Sequence, residues 1–150
     1  MRKVLLDANL LIGALDEQGA TSPAERDAAR QVLASLLKDE TVTLVITPLI
    51  RYEVLRGIIW QDQARFDQLK RVLDGLTELD VNRGVSELAA NLFRFDRSEG
   101  NGGQRNIEKR KFDVFHFASA RYHGLELVSQ DSDMTAIGSL FDHYEQAGGS

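Results

Sequence analysis

Two rhythms of apolar residues alternate along this chain. Val4-Leu5-Leu6 is an unbroken apolar triplet closed by Asp7, the pattern of a strand buried on both faces. Leu10, Leu11, Ala14 and Leu15 follow at helical spacing, so the strand feeds a short helix directly. Gly19 to Pro23 reads as a loop, with Ser22 as N-cap and Pro23 as the first helical residue. From Ala24 to Lys38 the positions Ala28, Ala29, Val32, Leu33, Leu36 and Leu37 trace an amphipathic helix. Val42 to Ile46 is β-branched and predicts a second strand. Thr47 and Pro48 repeat the cap-and-proline device and open a helix to Gly57; Ile58 to Leu76 continues helical, with Phe66, Leu69, Val72 and Leu73 on one stripe. Thr77 to Val81 is a weaker third strand and Gly84 to Phe95 another helix. Ser98 to Lys111, carrying Gly100, Gly102 and Gly103, predicts a loop. Phe112 to Tyr122 is helical again, stopped by Gly124, and Leu125 to Ser129 is the fourth strand before a small helix and a frayed tail.

Strands alternating with helices from end to end predict an α/β fold, a three-layer sandwich around a mainly parallel central sheet. With 150 residues, no repeat and no dividing linker, the expectation is a single domain over 1–150. A chain of this size buries roughly two thirds of its unfolded surface and needs no staples. It contains no cysteine, which excludes a disulfide framework, a thiolate metal site and a cysteine nucleophile. The first six residues resemble the start of a signal peptide, but Asp7, Asn9 and Asp16 interrupt the apolar run and no small-residue cleavage site comes after. No run of about 18 apolar residues exists. A soluble, cytoplasmic protein with no membrane association is expected.

Net charge is −5, from 23 acidic and 18 basic residues. That sign argues against a tight, passive nucleic-acid binder, because phosphate contacts come from Lys and Arg. It leaves room for an enzyme that touches nucleic acid briefly.

Candidate chemistry lies in the acids. In open α/β sheets ligands bind at the carboxyl ends of the strands. Asp7 comes directly after the first strand, Glu53 lies in the first two turns after the second, and Asp131 comes just after the fourth with Asp133 close behind. Asp113 opens the helix that runs back to the fourth strand, which places it at the same edge. Most of these acids have an ordinary explanation, a turn residue or helix cap for Asp7, a turn residue for Asp131 and Asp133 and a helix-dipole charge for Asp113, whereas Glu53, on a partly covered helix face, is harder to dismiss. Together they are better explained as one site. Carboxylates within a few ångströms repel unless a cation neutralises them. An all-oxygen donor set favours Mg²⁺ or Mn²⁺ over zinc, and such an ion supports phosphodiester hydrolysis.

Four segments carry a family resemblance: LLDANLLIGALD (5–16), ITPLIRYEVLRG (46–57), KFDVFHFASARYHGLELVSQD (111–131) and the adjoining SDM. In this order and spacing the chain resembles a PIN-domain ribonuclease of the VapC toxin type, over nearly its whole length. The resemblance implies a PIN-like fold and Mg²⁺- or Mn²⁺-dependent endonucleolytic cleavage of RNA. It also implies inhibition by a cognate antitoxin, commonly in a homodimer. By position, Asp7, Glu53, Asp113 and Asp131 match the four catalytic and metal-binding acids, and Asp133 an additional acid. Asn9 matches a polar residue of the first loop, and Ser129 a hydroxyl residue that supports the acids. The chain departs from the pattern at Ala8, where the family usually has Thr or Ser, and in a longer polar stretch from Arg97 to Lys111.

For substrate contact, QRNIEKRK at 104–111 sets Arg105, Lys109, Arg110 and Lys111 against Glu108 alone. It reads equally as a mobile basic arm for RNA phosphates or as a solvated loop. Arg56 shares a helix face with Glu53, and either contacts phosphate or antitoxin, or pairs with a carboxylate. His116, among Phe112, Phe115, Phe117 and Ala120, is better read as a packed residue than as a general base. Ile58-Ile59-Trp60 is either core or a partner surface. The competing functions are an Asp-nucleophile phosphatase, a receiver-type module and an inactive RNA- or protein-binding relative. The first wants an Asp where Asn9 stands, and the second a strand-terminal phosphoacceptor with a later strand-Lys, which the chain lacks.

Overall fold

In the computed structural model, residues 2–17, 19–99, 107–130 and 132–148 are described, the last two spans without the side chains of Ile107, Ser132 and Asp133. Within them the order is β1 (Arg2–Leu6), α1 (Ala8–Ala14), α2 (Pro23–Lys38), β2 (Val42–Ile46), α3 (Pro48–Leu55), α4 (Gln63–Asp74), β3 (Thr77–Glu78), α5 (Arg83–Ser98), α6 (Ile107–His123), β4 (Glu126–Val128) and α7 (Ser132–Gln146). The chain forms two compact units, Met1–Asp80 with Glu126–Gln130, and Val81–Leu125 with Asp131–Ser150.

The first unit holds a sheet in the order β3-β2-β1-β4. Every pairing is parallel: Leu5 lies opposite Val45 on one side and Leu127 on the other, and Val45 opposite Thr77. This bears out the α/β class with a parallel sheet. Central β1 has neighbours on both sides, and Val4, Leu5 and Leu6 are fully buried, each contributing about 1.5–3 kcal/mol from apolar burial. The edge strand β3 pairs only through Thr77 and Glu78, both exposed, and so stops short of the expected Val81. Across the other edge Arg2 of β1 forks onto Glu126 of β4, at 2.8 Å from Nη2 to Oε1 and 3.1 Å from Nε to Oε2.

Two helix starts were legible to the residue. Ser22 Oγ accepts the Glu25 N–H and Thr47 Oγ1 accepts the Ile50 N–H, each with proline at the first helical position. The continuous helix expected from Ile58 to Leu76 is instead interrupted. A turn over 56–62 comes after α3, and Asp62 caps α4 by accepting the Arg65 N–H at 3.0 Å. Leu69 and Leu73 bury the inner face of α4, whereas Val72 is exposed and off the expected stripe. Ile59 and Trp60, on the turn, are 64% and 89% exposed, which settles that they are surface and not core.

In the second unit α5 packs on α6 and both pack on α7. The buried face of α5 is Val85, Ala89, Leu92 and Asp96. Phe117 meets Phe141 at 5.3 Å between ring centroids, Phe95 meets Tyr144 at 5.8 Å, and Arg121 lies over the Phe141 ring at 4.8 Å. Gly84 lets Tyr122 pass: a Cβ there would stand 2.3 Å from the tyrosine Cε2. Gly124 takes φ +66° and ends α6. The loop expected to extend to Lys111 ends earlier, because α6 begins at Ile107; α7 runs for 15 residues rather than as a small terminal helix. No helix among the described residues is long and apolar enough to cross a membrane.

Candidate active site

The carboxyl end of β1 delivers Asp7 into a nearly closed environment. Its N–H donates to Val128 O at 3.0 Å, extending the β1–β4 ladder by one rung. With φ −68° and ψ 150° the residue is extended and also serves as N-cap of α1. Oδ1 accepts the Ala8 N–H at 2.8 Å, and Oδ2 accepts the Ser129 hydroxyl at 2.6 Å. Ser129 Oγ lies 3.2 Å from Asn9 Oδ1 as well. A hydroxyl has one proton, so the shorter contact to Asp7 is the principal bond. Asp7 is 2% exposed, and a carboxylate so buried requires strong partners. Asp7, Asn9 and Ser129 are therefore brought together as the sequence led one to expect.

Glu53 sits in the second turn of α3, half-buried, with Val54 of the same turn in the core. Arg56 is the exposed C-cap of that helix, and its guanidinium carbon lies 5.5 Å from the centre of the Tyr52 ring, a cation–π arrangement. It belongs to the exposed surface beside Glu53's helix.

Asp113 is 4% exposed. Because α6 begins at Ile107, Asp113 lies well inside the helix and not at its opening, so a helix-dipole role at the N-terminus is excluded. Lys109 Nζ stands one turn back, 3.4 Å from Asp113 Oδ2. Arg110 Nε approaches Asp96 Oδ2 at 3.8 Å, and Lys111 Nζ bonds Glu108 Oε1 at 3.0 Å. The described part of the basic segment is thus a helical turn whose cations each face a carboxylate, neither the mobile arm nor the solvated loop that the sequence offered. Arg105 and Asp131 lie outside the described residues; Asp133 is in α7, its side chain likewise outside them. His116 is 1% exposed, a core position on α6 as read from its neighbours.

Asp96 was not anticipated. It is 3% exposed and falls at the fourth position of the apolar series Val85, Ala89, Leu92, Asp96. An acid at a core position of an amphipathic stripe is the signal that marks it.

Among the described residues no group of three or more His, Asp or Glu side chains is set to hold one ion. The donor chemistry nonetheless suits a hard divalent cation. In the first unit Asp7 is a carboxylate withdrawn from water, with the hydroxyl of Ser129 and the amide of Asn9 beside it, oxygen donors of the kind such an ion takes.

The sequence model of the family described as PIN domain matches residues 4–140. No curated protein matches the chain in sequence. Several solved structures are similar to it, among them the following three. A toxin-antitoxin complex from Klebsiella pneumoniae is 18% identical with a TM-score of 0.59, covering 86% of this chain and 87% of that one. VapBC2 from Rickettsia felis, bound to a DNA fragment from its promoter, is 16% identical with a TM-score of 0.62, covering 90% and 92%. VapC20 from Mycobacterium tuberculosis, a Sarcin-Ricin loop cleaving toxin, is 15% identical with a TM-score of 0.61, covering 90% and 95%. At these identities the likeness is one of fold. The PIN-domain family read from the four motifs is the one whose sequence model matches.

Proposed function

Because this chain belongs to the PIN-domain family, we propose that it is a metal-dependent endoribonuclease, the toxin of a toxin–antitoxin pair, hydrolysing phosphodiester bonds of RNA. The observation that carries this reading is Asp7, a carboxylate 2% exposed at the carboxyl end of the central strand, held by the Ser129 hydroxyl at 2.6 Å. A buried, oriented acid at that edge suits cation binding better than a turn or a solvated surface.

In this reading Asp7, Glu53, Asp113 and Asp131 hold Mg²⁺ or Mn²⁺, and Asp133 adds a further acid. A divalent ion so held lowers the pKa of bound water and stabilises negative charge on phosphate oxygens. The chain's own residues do the positioning. Ser129 fixes one oxygen of Asp7 and the Ala8 amide the other, so the carboxylate is preorganised. Asn9 Oδ1 lies beside the same hydroxyl as its alternative, longer acceptor. Arg56, exposed, and Arg105, Lys109, Arg110 and Lys111 are the candidate phosphate contacts. Three of these, Lys109, Arg110 and Lys111, exchange a carboxylate partner for RNA.

The antitoxin and homodimer partners rest on the resemblance and on the complexes seen among the similar structures. The exposed Ile59 and Trp60 suit a protein-binding surface. A family match that continues through both compact units supports a single PIN-like domain, and the cytoplasm, where its RNA lies, is the compartment assigned.

The test is neutralisation of single acids. Asp7→Asn, Glu53→Gln, Asp113→Asn and Asp131→Asn should each fold, by circular dichroism, and cut RNA at least about a hundredfold more slowly. Wild-type cleavage rates in the folded variants would refute the site.

A further inference from the structure

We propose that Lys109 is a built-in counter-ion of Asp113, competing with the divalent cation for that carboxylate and passing to an RNA phosphate once the cation is bound. This rests on the reading of Asp113 as a metal-site acid and adds a role for Lys109 that the acid set does not contain.

The side chain of Asp113 is 6% exposed and that of Lys109 33% exposed, with Nζ 3.4 Å from Oδ2. The spacing of four residues puts both on one face of α6, a turn apart. A carboxylate this buried is costly unless a cation neutralises it, and Lys109 supplies that charge from within the same helix. The two neighbouring cations are engaged elsewhere, Arg110 with Asp96 and Lys111 with Glu108. Lys109 is thus the member of the basic turn directed at an acid of the assigned metal site.

Chemistry makes the pairing exchangeable. An ammonium on a four-carbon stem is a compact charge that swings readily, unlike a bidentate guanidinium. A divalent ion on Asp113 repels it, and a group already one-third exposed can turn toward solvent, where a phosphate provides the replacement anion. Removing the charge at position 109 should therefore have opposite effects on two measurements, tightening cation binding while slowing RNA cleavage. A residue that merely stabilises α6 would not split them.

The test is calorimetric titration of the full chain with Mn²⁺ alone, with RNA cleavage measured separately at saturating Mn²⁺. Lys109→Met should bind Mn²⁺ about three- to tenfold more tightly than the wild type, in keeping with the loss of one competing ion pair. Its cleavage rate should fall, while Lys109→Arg stays near the wild type in Mn²⁺ affinity. Lys109→Gln, which removes the charge but keeps a hydrogen-bond donor, should tighten Mn²⁺ binding as Met does, and it stands in if the methionine variant does not fold. Unchanged or weaker Mn²⁺ binding by a folded, uncharged variant overturns the proposal. Asp113→Asn separates the two levels. If it binds Mn²⁺ as the wild type does, the metal-site reading itself fails; if it loses binding while Lys109→Gln is unchanged, only the counter-ion role fails.

Discussion

Ser129 shows how one hydroxyl ties a buried acid to the sheet. Its Oγ reaches Asp7 at 2.6 Å from the residue just after β4, so the acid at the end of β1 is oriented by the neighbouring strand. Ser129→Ala removes a hydrogen bond to a buried carboxylate, and should cost about 1.5–3 kcal/mol in denaturant unfolding. RNA cleavage should fall with it, and Ser129→Thr should restore both; an alanine variant as stable as the wild type would show that the bond does not hold Asp7. At this scale the sequence was informative for Asp7, Asn9 and Ser129. The strands Arg2–Leu6 and Glu126–Val128 each end where an apolar run gives way to a polar residue, Asp7 in one case and Ser129 in the other. Asp96 was marked by its place on the α5 stripe after Val85, Ala89 and Leu92 but was not read from it. The pairing of Lys109 was not legible, because it depends on which face of α6 is covered, and a helix with no apolar repeat at its start gives no phase from which to read that.

The same difficulty explains the elements that differed. Ile107 to Lys111 reads IEKRK, which offers no amphipathic stripe, yet it forms the start of α6. Ion pairs between Lys111 and Glu108 and between Lys109 and Asp113 stabilise these turns in place of apolar burial. The break between α3 and α4 turned on the Asp62 cap, a short polar residue inside an otherwise helical pattern. By contrast, both Ser/Thr-Pro starts were readable, since cap and proline act within a few residues of each other.

Between elements, the fork of Arg2 onto Glu126 fastens β1 to β4 at their exposed ends. The hydrogen bond from Arg2, and after it the charge of the guanidinium, holds the Glu126 carboxyl below the usual carboxylate range. On the other side of the unit, hydrogen bonds from Arg51 and then Lys70 hold Asp74 below that range too. A carboxyl with a depressed folded-state pKa stabilises the fold above its unfolded value and loses that contribution as pH falls through the folded one. Melting temperature should therefore drop as the pH is lowered from about 4.5 through the acid range. Arg2→Ala should flatten the part of that drop due to Glu126, and an identical pH profile in the variant would show the pairing to be without consequence.

At the scale of the whole molecule, the chain leaves its first compact unit at Asp80, returns for Glu126–Gln130 and leaves again, while the family match runs on through residues 4–140. This threading supports reading the protein as one domain, and that reading is testable by melting. Leu5→Ala in β1 and Leu92→Ala in α5 each empty a fully buried site, and each should cost about 2–5 kcal/mol. In a single domain both should shift one common transition; two transitions, each moved by only one variant, would contradict it. The fold class was legible because alternation of strand and helix spans the entire chain, whereas the proposal that Asp7, Glu53, Asp113 and Asp131 share a cation draws on the strand ends and the motifs, since these acids come from widely separated segments.

Metal-dependent cleavage of RNA is the central claim, and it is tested most directly by incubating total RNA with the purified wild-type chain and with Asp7→Asn, in Mg²⁺, in Mn²⁺ and in EDTA. The wild type should give discrete fragments in either metal, none in EDTA, and the same fragments again when the ion is restored in excess. Asp7→Asn should give none under any condition. Fragments that persist in EDTA, or that Asp7→Asn produces as fast as the wild type, would contradict the claim.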